Sequence, residues 1–405
     1  MYDLIIAGAG PAGCTLALNL AGSGLNIAMV EKETFPRKKI CGDALSGKVL
    51  NILRRLPEPI FQDFLKNVEK EPSRGIRFVS PNLKGLDLPF ITDSITGYES
   101  PGYICRREIF DEFLFKKLSD YTNIKVFEGT KISAISVQKD FAEITTDKGE
   151  LRSRIVAGAD GVHSIVRSLI SPGIPKSGYC VGIRSYYKNV AGLHPDNFIE
   201  LIFLRELLPG YLWIFKGPAG LANVGLGMLQ QQIVRKRINL SRLFLNLIRN
   251  HPYLSPRFAN ALPVGKPEAH TLPLGTFSMK RSGNRFLLLG DAAFLVDPFS
   301  GEGIGNAMAS GECASQVIRK CFKKNSFTGT DLSEYDQKLQ RRMGNELRIS
   351  SMLQKLSRSP ALFNFVINKA NNNRKVRELL SGMFTNENLR SRLTRPSFYL
   401  SLMFR

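Results

Sequence analysis

The feature that most constrains this chain is Gly8-Ala9-Gly10-Pro11-Ala12-Gly13, set between the apolar run Leu4-Ile5-Ile6-Ala7 and an Ala- and Leu-rich segment. Tyr2–Ala7 reads as a short buried strand, residues 11–23 as a helix and residues 26–31 as a second strand. That makes one βαβ unit. Gly8 allows the tight turn, Gly10 lets backbone approach a pyrophosphate, and Gly13 lets helix and strand pack closely. Phosphates would sit on the positive end of the helix, whose first turn carries Pro11 and Ala12. Glu31, followed by Lys32, closes the second strand at the spacing of about 20 residues where an acid takes a ribose 2′-OH. An acid there argues against a 2′-phosphate, so NADP is not expected in this site.

Two more segments end apolar strand-like runs: Gly158-Ala159-Asp160-Gly161 and Leu287-Leu288-Leu289-Gly290-Asp291-Ala292-Ala293. The Asp291 carboxylate can accept hydrogen bonds from polyol hydroxyls, which the open-chain ribityl of a flavin offers. Gly301, Gly303 and Gly305 permit close backbone approach to a flat ring, and the helix that follows would favour negative charge on a reduced flavin's pyrimidine edge. The three segments in this order point to FAD.

Several details carry a family resemblance. Phe35-Pro36-Arg37-Lys38-Lys39-Ile40-Cys41-Gly42 is similar to a Pro-x4-Cys-Gly-Gly segment, and Arg107-Glu108-Ile109-Phe110-Asp111 to an Arg-x-x-Phe-Asp helix start. Tyr211-Leu212-Trp213-Ile214-Phe215 is similar to a Tyr-x-Trp-x-Phe stretch. Asp297-Pro298-Phe299-Ser300-Gly301-Glu302-Gly303-Ile304 completes the set. The whole resembles the FAD-dependent oxidoreductases of the p-hydroxybenzoate hydroxylase fold, and within them the geranylgeranyl reductase branch, over roughly residues 1–324. Asp43 departs from the branch's second glycine, and Lys216-Gly217 from its Pro-Lys. The resemblance implies that Lys32, Arg37, Cys41, Gly42, Arg107, Asp160, Gly161, Gly290, Asp291, Pro298, Gly301, Gly303 and Ile304 join the glycine loop around FAD. It implies that Tyr211, Trp213 and Phe215 line the substrate cavity, and that Cys41 approaches the flavin's substrate side.

The expected fold class is α/β (α+β overall): a Rossmann-like FAD-binding domain with an inserted antiparallel-sheet substrate domain and a C-terminal helical segment. The FAD-binding domain is expected to be discontinuous, over 1–73, 102–173 and 272–324. The sheet domain takes 75–96 and 178–270, including an amphipathic helix over 230–250, and residues 325–405 form a basic helical segment with a break at 371–373. The sheet would roof the flavin, with the ligand between roof and ring.

Six cysteines without C-x-x-C spacing suit reduced thiols, and four histidines without paired spacing suggest no metal site. The chain enters a strand with no basic leader and has no apolar run near the ~20 residues needed to span a bilayer, so a cytoplasmic location is expected. The net charge of +21 is a statement about partners. No nucleic-acid motif accompanies it, so an anionic membrane surface is the expected partner, with peripheral attachment to its inner face. Residues 331–405 hold fourteen Lys/Arg against six Asp/Glu, and residues 390–405 interleave Arg390, Arg392, Arg395 and Arg405 with apolar side chains. That composition suits an interfacial anchor or a helix docked on its own protein with a solvated basic face.

Saturating an isolated C=C requires a hydride at one carbon and a proton at the other, with the alkene held over the ring. Tyr211, Trp213 and Phe215 alternate along a strand and so share one face. Cys41 is the first proton-donor candidate, since a thiol of pKa ~8.5 is protonated near neutrality. His270 is the second. The expected activity is reduction of a long prenyl or polyene lipid, with NAD(P)H, a ferredoxin or a quinol as electron donor. A hydroxylase or halogenase using O₂ on the same scaffold is the alternative, and a non-catalytic flavin redox sensor a third reading.

Overall fold

The computed structural model describes residues 1–90, 102–170 and 178–382. Tyr2–Ala7 is apolar on both faces because both are covered: it runs mid-sheet, parallel to Gly149–Gly158 on one side and Ile27–Val30 on the other. Ile124–Phe127 extends the sheet beyond Ile27–Val30, and Phe286–Leu288 beyond Gly149–Gly158, both parallel. The register pairs Ala7 with Val30 and Gly158, and Gly158 with Leu288. The three glycine-bearing segments therefore leave the sheet at the same carboxyl edge, where open α/β sheets bind ligands. Pro11–Asn19 is shorter than the sequence pattern suggests and packs against Ile304–Lys324. The approach is close: a Cβ on Gly311 would lie 2.5 Å from the Ala12 carbonyl oxygen.

The second sheet has seven strands, ordered Leu262–Pro273, Tyr179–Lys188, Leu221–Leu229, Tyr211–Lys216, Phe198–Ile202, Gly75–Val79, Gly85–Pro89. All neighbours are antiparallel except Phe198–Ile202 with Gly75–Val79. Its outer face packs Ile183, Leu212, Ile214, Val224 and Leu226 against Phe244, Leu247 and Ile248 of the helix Leu240–Asn250. The single helix expected over 230–250 is two, Gln230–Arg235 and Leu240–Asn250. Arg237 turns left-handed (φ 51°), and the Asn239 side chain then accepts from the Arg242 amide to start the second helix. His270 lies within the edge strand Leu262–Pro273.

Residues 334–382 are built into both layers. Tyr335, Leu339, Met343 and Leu347 are buried in the core of the nucleotide sheet. Ile349, Leu353, Ile367, Ala370 and Val376 complete the core of the second sheet. Pro360–Asn372 and Arg374–Gly382 meet at Asn373, beside the expected break. Among the described residues no helix is long and apolar enough to cross a membrane. The basic stretch 390–405 lies outside the described residues.

Candidate flavin-binding cleft

Between the two sheets runs a cavity of about 1440 Å³. A single small-molecule pocket is typically about 300–1,000 Å³, so this one has room for a cofactor and a second ligand. Of the residues expected around FAD and substrate, Gly13, Pro298 and Gly305 are not part of its lining, while the glycine loop, Glu31, Lys32, Arg37, Cys41, Gly42, Arg107, Asp160, Gly161, Tyr211, Trp213, Phe215, His270, Gly290, Asp291, Gly301, Gly303 and Ile304 are.

At one end lies the glycine loop. Gly8 is left-handed (φ 101°), and a Cβ there would lie 2.4 Å from the Ala159 carbonyl oxygen; one on Gly13 would lie 2.0 Å from the Gly8 oxygen. These two glycines are required by packing, while Gly10, the N-cap of Pro11–Asn19, faces the cavity with the Arg37 guanidinium 3.5 Å from its Cβ position. Glu31 is buried and shores up the loop, its oxygens accepting from the Ala9 and Glu33 amides at 2.8 and 3.0 Å. Lys32 is exposed at the rim, 3.7 Å from Glu33. Arg37 pairs with Asp111 at 3.1 Å, while its buried Nε has no hydrogen-bond partner. Arg107 is clamped to Asp111 through two hydrogen bonds of 2.7 and 2.8 Å. Burial opposes the Arg107 charge, but Asp111 and the neighbouring Cys41 sulfur outweigh it and raise its pKa. Asp160 accepts from the Ile165 and Val166 amides at 2.7 and 3.3 Å, and its Oδ1 is buried without a partner. Burial pushes its pKa up.

A half-buried glycine cradle on a helix N-terminus, the Arg37 guanidinium beside it and a buried Asp160 oxygen without a hydrogen-bond partner fit a dinucleotide at this end. Farther along, Asp291 sits 3.9 Å from Lys39 Nζ, and Gly301 (φ 73°) and Gly303 lead into the 21-residue helix Ile304–Lys324. The loop they belong to is fastened by Asp297 of the same motif and by Ser350 and Gln354, which carry no sequence motif. Asp297 accepts from the Phe299 and Ser300 amides and from the Ser350 hydroxyl, and Gln354 donates to the Pro298 carbonyl at 2.6 Å.

The wall opposite is the inner face of the second sheet. Tyr211, Trp213 and Phe215 stand along it, with ring centroids 6.3 Å apart at each step. The indole lies on a floor of glycines from neighbouring strands: Cβ atoms on Gly225, Gly182 and Gly227 would lie 2.3, 3.7 and 4.0 Å from it. Its Nε1 donates to Asn223 at 2.9 Å, and the Tyr211 hydroxyl donates to the Ser300 carbonyl. Against this wall sits the turn 41–43; a Cβ on Gly42 would be 3.0 Å from the Phe215 ring. Cys41 is half-buried, and it and the other five cysteines are free thiols.

His270 is hydrogen-bonded through Nε2 to Lys39 Nζ at 2.6 Å. Burial, then the Lys39 charge, lowers the His270 pKa to about 4. The lowering favours the neutral imidazole, which can accept a hydrogen bond from Lys39 Nζ. The lysine in turn has its pKa lowered by burial. Sequence reading passed over Lys39, Asn223 and the glycines of the floor; Gly225 and Gly227, alternating inside a strand, were the available signal.

Residues 1–190 match the family described as FAD binding domain. A digeranylgeranylglycerophospholipid reductase of Methanosarcina acetivorans is 29% identical over 367 residues, covering 86% of this chain and 83% of that protein. One of Thermoplasma volcanium is 28% identical over 348 residues, covering 83% and 82%. Among solved structures, a geranylgeranyl bacteriochlorophyll reductase-like protein of Thermoplasma acidophilum superposes with a TM-score of 0.77 at 22% identity, covering 91% of this chain and 90% of that one. A flavin-dependent brominase gives 0.74 at 20%, covering 94% and 93%. The chain is an FAD-dependent oxidoreductase by its amino-terminal match, it shares the fold of these flavoproteins, and it resembles the geranylgeranyl reductases.

Proposed function

We propose that this protein saturates C=C bonds of a long isoprenoid or polyene lipid. The observation that carries this reading is that the cavity, besides its nucleotide loop, is lined by Ile76, Ile104, Ile199, Leu201, Trp213 and Phe215, with Gly42 of the turn 41–43 against the Phe215 and Trp213 rings. The reductases of Methanosarcina acetivorans and Thermoplasma volcanium, whose names specify a prenyl-chain lipid, support it.

When bound and reduced, FAD supplies the hydride. The apolar wall excludes water and holds the alkene flat, which an unactivated double bond needs in order to react. The Cys41 thiol gives its proton to the carbon that does not receive the hydride, and the resulting thiolate, beside the Arg107 guanidinium, is reprotonated from solvent. The electron donor is NAD(P)H, a ferredoxin or a quinol, and the +21 charge suits collection of a water-insoluble substrate from an anionic membrane.

The test is a single turnover under anaerobic conditions. Dithionite-reduced holoenzyme mixed with a geranylgeranyl lipid should return to oxidised flavin, and the lipid should gain two hydrogens per event. Cys41→Ala should slow that step with FAD content unchanged. Product that requires O₂ and gains oxygen or halogen would move the protein to the oxygenase or halogenase reading, whose scaffold the brominase shares.

A further inference from the structure

Asp43 is nearly inaccessible, at 1% exposure, and holds a left-handed backbone (φ 67°) that favours glycine, the residue the resembling branch carries there. Something therefore offsets both the strain and the burial of a carboxylate. Its Oδ2 accepts from the Tyr186 hydroxyl at 2.6 Å and from Asn223 Nδ2 at 2.7 Å, and its Oδ1 accepts from the Arg107 amide at 3.3 Å. Asn223, equally buried, also donates from Nδ2 to the Cys41 carbonyl at 2.8 Å and accepts at Oδ1 from the Trp213 indole at 2.9 Å. The orientation of this amide admits no alternative. An indole N–H only donates and a backbone carbonyl only accepts, so a flipped Asn223 would set donor against donor and acceptor against acceptor. One buried amide thus ties the cysteine turn to the tryptophan wall, and one buried carboxylate, anchored to Tyr186 on the next strand and to the helix start at Arg107, holds that amide in place.

We propose that Asp43 and Asn223 are positioning residues that lock the Cys41–Gly42 turn against Trp213, setting the gap between thiol and aromatic wall in which the alkene is held. This rests on the reductase reading for its purpose, while the lock itself can be measured without any substrate. The chain supplies two reporters, Cys41 as a half-exposed thiol and Trp213 as its only tryptophan.

The experiment compares the wild-type holoenzyme with Asp43→Gly, which removes the carboxylate and relieves the positive φ together. Cys41 alkylation by iodoacetamide is followed by peptide mass spectrometry at one fixed pH, alongside indole emission and FAD content. The lock requires Cys41 to react about fivefold faster, the population shift that accompanies one lost buried hydrogen bond. It also requires a red-shifted indole, with FAD retained. Tyr186→Phe, which deletes only one hydroxyl, should move both readouts in the same direction by less, and it decides the matter if Asp43→Gly does not fold. Unchanged alkylation and unchanged emission in folded, FAD-replete variants would overturn the proposal. Lipid saturation that fails while the lock behaves as described would instead overturn the reductase reading.

Discussion

Gly225→Ala should be strongly destabilising for a residue change of one methyl group, and the structure supplies the size. The added Cβ would lie 2.3 Å from Cζ2 of Trp213 and 2.4 Å from the Ile183 carbonyl oxygen. The indole is held by its bond to Asn223, and the carbonyl belongs to the neighbouring strand of a nine-residue ladder. Neither can yield by rotating a flexible tip, so the strand pair opens or the ring tilts into the cavity. Overpacking of this kind typically costs about 1–3 kcal/mol. Two controls bracket it. Gly182→Ala would place its Cβ 3.7 Å from the indole, ordinary contact distance, and Gly85→Ala meets nothing within 4 Å. Both should fall within about 0.5 kcal/mol of wild type. The assay is urea unfolding of FAD-loaded protein by far-UV circular dichroism, comparing midpoints at constant slope. Trp213 emission recorded in native buffer should shift for Gly225→Ala alone. Equal midpoints for Gly225→Ala and Gly85→Ala would refute the glycine floor.

Asp291→Ala and Gly10→Val should each yield protein depleted of FAD on purification, the first by losing a charge-assisted acceptor and the second by filling the phosphate approach; stoichiometric FAD in both would sink the site assignment. Because the His270 pKa is lowered to about 4 against an unfolded value of about 6.5, the unfolded chain binds the extra proton between those limits. Stability from this group is present above about pH 6.5 and is lost as pH falls toward 4, so His270→Gln should flatten the stability–pH curve in that window; an unaltered slope would contradict it. The protein should co-sediment with liposomes containing acidic lipid at low salt and release at high salt, and a chain ending at residue 388 should bind less, since each Lys or Arg near such a surface contributes about 1 kcal/mol. Equal sedimentation of both chains on neutral and acidic liposomes would leave the basic stretch without a membrane role.

The nucleotide sheet was legible because its requirements are local. Gly8, Gly13 and the apolar run before them are dictated by contacts within a few residues of each other, or across one strand pair, and such contacts leave a pattern in the chain. The aromatic stripe was legible for the same reason, as alternation is a property of one strand. What sequence reading missed lies across strands. Asn223 matters because it faces Phe215 in register on one side and Tyr186 on the other, and no spacing within a single strand announces that. Lys39 gains its role from His270, 231 residues away. The 230–250 segment shows the opposite failure: its apolar face is continuous by period, while the left-handed Arg237 and the capping Asn239 divide it.

The C-terminal helices change the meaning of the flavin loop most. By composition, residues 325–405 look appended, a basic segment after the last glycine motif. In the fold, Asn345–Leu356 sends Ser350 to Asp297 and Gln354 to the Pro298 carbonyl, next to the Ser300–Gly303 stretch that lines the cavity. The same helix buries Leu347 in the core of the nucleotide sheet and Ile349 and Leu353 in that of the second sheet. A loop of Gly301 and Gly303 has little intrinsic stiffness, since glycine populates many conformations. Its conformation is therefore fixed by Asp297, by Pro298 and by two polar side chains delivered from a later helix. That dependence divides the work between two parts of the chain: the glycines leave room for backbone to approach a ligand, and the later helix limits how far their loop can move.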